Sequence, residues 1–256
     1  GAESGFQVTF FRVGTCIGAD NPSRFTPRQL VLAHAAIADP ATGHLLHAER
    51  AERTLDPLAG AALGQTRVWI HDWELTLDGD QYRTRIDTDA FALDLNLLPP
   101  GPSILNGREG FSQKTPDPRH ASYYYSRPQL RVSGRVRLEG KDRRVSGQAW
   151  LDHEWSSEIL SEEARGWDWI GINLHNGGSL MAFRMRHRDG SALWAAGTLR
   201  EGGAIARHLA PPQGPFPNPG TRVAIASHGQ NLSGRVGARH RWPILASSSP
   251  DGRSGT

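Results

Sequence analysis

The sequence predicts an all-β protein, an antiparallel barrel followed by the start of a second. Three observations carry that expectation. Apolar residues recur with a period of two over much of the chain, the signature of half-buried strands. Asn-Gly and Asp-Gly dipeptides separate several of the alternating runs, and these are strong hairpin signals. Glycine and proline number 29 and 17 of 256 residues, a density that suits many turns. Successive hairpins must hide their edges, and closure into a barrel does so.

The elements follow in order. Phe6, Val8 and Phe10 alternate with Gln7 and Thr9. Pro27–Ala38 places Leu30, Val31, His34 and Ile37 at roughly helical spacing, although a strand accommodates them equally. Trp69, His71, Trp73, Leu75 and Leu77 share a face, ended by the turn Asp78-Gly79-Asp80. Phe91, Leu93, Leu95 and Leu97 repeat the pattern until Pro99-Pro100. Leu130, Val132, Gly134, Val136 and Leu138 oppose Arg131, Ser133, Arg135, Arg137 and Glu139, and a turn at Gly140-Lys141-Asp142 leads to Val145, Gly147, Ala149, Leu151, His153 and Trp155. Glu158–Arg165 is the best short-helix candidate, with Ser157 as its N-cap. Three more strands follow, over Trp167–Leu174, Leu180–Arg186 and Ala192–Leu199. This organisation gives a first barrel over 1–157, a linker and the start of a second barrel over 158–213, and a tail over 214–256.

Composition excludes several classes. No stretch approaches the ~20 consecutive apolar residues of a membrane-spanning helix. The net charge is only +3, Lys114 and Lys141 are the only lysines, and the arginines are scattered, so no nucleic-acid partner is expected. Cys16 is the single cysteine and offers neither an internal disulfide nor a cysteine metal cluster. No Gly-x-Ser-x-Gly elbow or phosphate loop occurs, and His153-Glu154 lacks the second histidine of a zinc-protease helix. His44 and His47 read as surface residues, and neither metal nor cofactor is expected.

Chemically, two tryptophan-flanked acidic segments stand out: Trp150-Leu151-Asp152-His153-Glu154-Trp155-Ser156-Ser157 and Gly166-Trp167-Asp168-Trp169. Regular pleating would aim His153 and Trp155 into the barrel with Ala149 and Leu151, and would aim Asp152 and Glu154 out. A histidine beside an indole on an apolar face is either a proton donor or a core histidine bonded to a neighbouring strand. Tyr123-Tyr124-Tyr125 suits either a pocket mouth, with one ring turned inward, or a plain strand edge.

Taken in order with Gly5–Arg12 and the block from Phe111-Ser112-Gln113-Lys114 to Tyr123-Tyr124-Tyr125-Ser126-Arg127-Pro128, these segments resemble the AttH-type, lipocalin-like relatives of carotenoid 1,2-hydratase, often described as secreted hydrolases. The resemblance runs over about residues 5 to 200. It implies a pair of lipocalin-like β-barrels, the second truncated or disrupted here, and export to the periplasm or beyond. The family's upstream Trp-Trp-Tyr strand and export signal do not occur in this chain, so the first barrel is expected to lack its first strand.

For function, the resemblance implies acid–base hydration of an isoprenoid double bond, or hydrolysis. His153 and Trp155 keep the family's histidine-x-tryptophan spacing, and Asp168 is the nearest matching aspartate. His153 and Asp168 are thus the catalytic candidates, with Trp155, Trp167, Trp169 and Tyr124 as ligand-binding ones. The indole faces would stabilise a cation. The alternatives are a non-catalytic carrier of a small hydrophobic ligand and an accessory of an envelope transporter.

Residues 214–256 read as a frameshifted second barrel. Alternation stops after Leu199, prolines crowd residues 211–219, and Ser, Gly and Arg dominate the remaining residues of the chain. Read one nucleotide later, Arg222–Ser227, Asn231–Gly237 and Ser249–Gly255 can spell Gly-Trp-Arg-Ser-Pro-Ala, Thr-Tyr-Pro-Val-Gly-Trp-Ala and Pro-Met-Asp-Asp-Gln-Glu-Leu, which look like the family's C-terminal motifs. A native disordered tail is the other reading.

Overall fold

The structure, a computed structural model, describes residues 3–15, 17–18, 20–23, 25–158, 161–209 and 246–249. Cys16 and most of the 214–256 tail lie outside them. The described residues form seventeen strands and no helix. In chain order these are β1 (Ser4–Gly14), β2 (Gln29–Ala38), β3 (Leu45–Arg53), β4 (Ala59–Ala61), β5 (Arg67–Ile70), β6 (Trp73–Asp78), β7 (Gln81–Asp87), β8 (Phe91–Leu98) and β9 (Ile104–Leu105). There follow β10 (Phe111–Gln113), β11 (Ala121–Leu138), β12 (Lys141–Glu158), β13 (Gly166–Asn173), β14 (Ser179–Arg186), β15 (Ala192–Arg200), β16 (Arg207–Leu209) and β17 (Ala246–Ser249).

The chain folds as two compact units that interleave in sequence. The first comprises 1–102, 127–151 and 244–256, with strand order β3-β2-β1-β17-β12-β11-β8-β7-β6-β5-β4 and antiparallel pairing. In its core the alternating residues Phe91, Leu93, Leu95 and Leu97 of β8 pack with Leu130, Val132, Val136 and Leu138 of β11 and with Trp73. Tyr82 and Ile86 of β7, which the sequence reading did not single out, join them. Burying each large side chain contributes about 1.5–3 kcal/mol. Gly134 lies opposite Leu95, and a Cβ there would stand 2.1 Å from the Asp94 carbonyl oxygen, so the two backbones can approach only because the residue is glycine.

The second unit comprises 103–126 and 152–243. It contains β9 and β10, which pair with the start of β11, the end of β12, and a four-stranded antiparallel sheet β13-β14-β15-β16.

Several expectations need correction. Pro27–Ala38 is not a helix: β2 occupies Gln29–Ala38, with Val31, Ala33, Ala35 and Ile37 buried on one face. Glu158–Arg165 is not a helix either, since β12 runs to Glu158, Ser157 is inside it, and the described remainder is a turn with Ala164 N–H bonded to the Ser161 carbonyl. Eight residues carry too little local free energy to form a helix against the pull of a strand ladder.

The third correction concerns β12. Ala149 and Leu151 do face the first core, but beyond them the odd face opens to solvent at His153 and Trp155. Asp152 and Glu154, expected outside, do reach buried side chains of the second unit, although Glu154 itself stays solvent-accessible. A slip in β11 accompanies the change. Near its end even residues of β11 share a face with odd residues of β12, whereas Ser122 and Ser126 bond the even Glu154 and Asp152. Gln129 lies between, in the left-handed region at φ 58°.

Candidate functional site

The second unit brings most of the chemically distinctive residues together on two faces of the β11–β12 pair. From Ala121 to Ser126 β11 alternates, with Ser122, Tyr124 and Ser126 buried and Tyr123 exposed.

On the buried face the node is Lys114, only 5% exposed. Its Nζ lies 2.6 Å from Glu154 Oε1 and donates to Ser112 Oγ at 3.1 Å. The ammonium also sits 4.4 Å from the Phe183 ring centroid and 4.9 Å from that of Tyr124, where the ring quadrupoles attract it. The Ser122 hydroxyl donates to the same Glu154 oxygen. Asp152 Oδ1 accepts from Ser126 at 2.6 Å, and Ser126 Oγ accepts from Asn106 Nδ2 at 2.7 Å. Trp169 Nε1 donates to the Tyr124 hydroxyl at 2.9 Å. Burial pulls the Lys114 pKa down against the opposing pull of Glu154. Burial, reinforced by the Asp152 and Glu154 carboxylates, drives the Tyr124 phenol well above its ordinary value, so it stays protonated.

The other face is aromatic. Tyr123 and Trp155, 54% and 51% exposed, stack with centroids 5.7 Å apart and planes at 22°. Phe111 meets Tyr123 edge-on at 6.2 Å. His153 stands edge-on to Trp155 at 5.3 Å and to Tyr125 at 5.1 Å, and its Nδ1 shares a 2.8 Å hydrogen bond with the Tyr125 hydroxyl. Desolvation lowers the His153 pKa and favours the neutral ring, whose Nδ1 accepts from the phenol in one tautomer and donates to it in the other.

His153 and Trp155 are therefore together, as expected, and Tyr124 is joined to Trp169. Trp167 and Trp169 lie opposite Met185 and Phe183 of β14, both buried. Asp168 alternates with them and pairs with arginines: Arg184 donates to its Oδ2 through Nη2 at 2.6 Å and Nε at 3.1 Å, and Arg186 Nε lies 3.3 Å away. Sequence reasoning overlooked Lys114, Tyr125 and the contacts of Asp152 with Ser126 and of Glu154 with Ser122 and Lys114. A signal for Lys114 existed, because one of only two lysines in a chain that prefers arginine suggests a geometric need for a compact ammonium.

An antiparallel β protein with a buried lysine paired to a solvent-accessible carboxylate behind an aromatic face is the class that these features define. The AttH-like family model matches residues 1–217, and the chain belongs to the AttH-like family. A crystal structure of an AttH from Nitrosomonas europaea is similar at 45% identity and a TM-score of 0.74, over 81% of this chain and 63% of that one. Kievitone hydratase from Nectria haematococca is similar in fold alone, at 10% identity and a TM-score of 0.59, over 82% of this chain and 64% of that one. The chain thus spans less than two thirds of either matched structure. No curated protein matches it.

Proposed function

We propose that this chain binds a small hydrophobic, isoprenoid-like ligand on the Trp155–Tyr123 face and that His153, with Tyr125, supplies acid–base chemistry of the hydratase or hydrolase type. The carrying observation is the 2.8 Å His153–Tyr125 hydrogen bond inside an exposed aromatic cluster. Hydration is also the chemistry named by the fold relative, kievitone hydratase. Protonated His153 would deliver a proton to the alkene, the Trp155 indole would stabilise the resulting cation, and water would add as a proton returns to the imidazole. Export, and the completion of two lipocalin-like barrels in the longer relatives, belong to the same proposal.

A non-catalytic carrier is the second reading, and two observations favour it. Asp168 is engaged by Arg184 and Arg186, and the lowered His153 pKa leaves little imidazolium at neutral pH. In the carrier reading the protein passes lipophilic cargo to an envelope transporter. Incubation with terpenoid alkenes in heavy-oxygen water separates the two. Labelled alcohol supports hydration, whereas tryptophan quenching with no labelled product leaves binding alone.

A further inference from the structure

We infer that Lys114 is the positioning residue of the His153–Trp155 face, acting through Glu154 from the opposite side of the same strand. The inference rests on the reading of that face as the ligand site. Adjacent β residues point to opposite sides, so whatever clamps Asp152 and Glu154 also sets the backbone from which His153 and Trp155 project. Both carboxylates are clamped, Asp152 by Ser126 and Glu154 by Ser122 and Lys114. Lys114 is the only cation among these groups. It reaches Glu154 from the segment after β10 and is held between the rings of Tyr124 in β11 and Phe183 in β14, so one ammonium joins four segments of the unit. A charge this buried is tolerated because its partner and hydrogen bonds are in place, and removing one member strands the other.

Glu154 is also the sequence neighbour of His153, so a change in its pairing bears on the imidazole. The titratable or charged groups identified around it are Tyr125 on β11 and Asp152 and Glu154 on its own strand, with Lys114 behind Glu154. Without Lys114 the Glu154 carboxylate loses its counter-ion, favours imidazolium next door, and pulls its strand toward water. Paired replacement of Lys114 and Glu154 by neutral side chains removes that stray charge.

The test compares the wild-type chain, Lys114→Met and Lys114→Met/Glu154→Gln by imidazole NMR titration and by binding of cis-parinaric acid. Lys114→Met is expected to raise the His153 pKa and weaken probe binding about tenfold, and the double variant to bring both back toward wild type. A single variant that folds and keeps both wild-type values overturns the inference. So does a double variant as impaired as the single one, since the loss is then general packing damage. Should Lys114→Met fail to fold, Ser122→Ala removes another hold on Glu154 and is expected to shift both readouts in the same direction but less. No change in either there overturns the inference too. If the wild-type chain binds no probe, the ligand reading fails, while the His153 titration still decides the role of Lys114.

Discussion

His153 carries its chemistry through surroundings that are not its sequence neighbours. Desolvation holds its pKa below 6.5, with Tyr125 bonded to Nδ1. In the unfolded chain the ring takes up a proton first, so acidification from pH 6.5 to the lower folded pKa costs stability, and above pH 6.5 the contribution vanishes. Urea midpoints measured across that window should fall in the wild-type chain, with a shallower decline in His153→Gln. Any hydration activity should rise as pH falls through the same lowered pKa. Tyr124→Phe removes the acceptor of the Trp169 N–H and is expected to cost about 1 kcal/mol in urea unfolding, because a partly buried donor loses this hydrogen bond. The histidine-x-tryptophan spacing made His153 and Trp155 legible in the sequence. Tyr125 was not, because its meeting with His153 depends on which residues of two long strands stand opposite one another. The ion pair of Asp168 with arginines one strand away is of the same kind.

At the scale of elements, alternation located β1, β8, β11, β12, β13, β14 and β15, since one buried face imposes the period of two. It read β5 and β6 as one run through His71, which lies instead in the turn between them at φ 54°. What alternation could not supply was the face exchange along β11 and β12. A strict period predicts a buried His153 on the face of Ala149, but Ala149 is core and His153 is solvent-exposed. The two strands are joined by the turn Glu139-Gly140, with φ of 52° and 73°. Glutamate is a poor occupant of the left-handed region, so Glu139→Asn is expected to stabilise the chain by about 0.5–1 kcal/mol in thermal unfolding. The close approach at Gly134 argues in the other direction. Gly134→Ala must push β11 from β8 and is expected to destabilise the chain by about 1–3 kcal/mol.

Across the whole molecule, the described residues form strands joined by turns and loops, with no helix. The all-β class was readable because hairpin turns and periodicity agree. The interleaving of the two units was not, because long strands let distant segments share one compact body. The most direct test of the central claim is a fluorescence titration of wild-type protein and Trp155→Ala with cis-parinaric acid. The account predicts saturable binding with tryptophan quenching in the wild-type chain, and affinity weaker by about tenfold or more in a folded Trp155→Ala variant. Equal affinity in the two proteins, or no saturable binding in the wild-type chain, would contradict it.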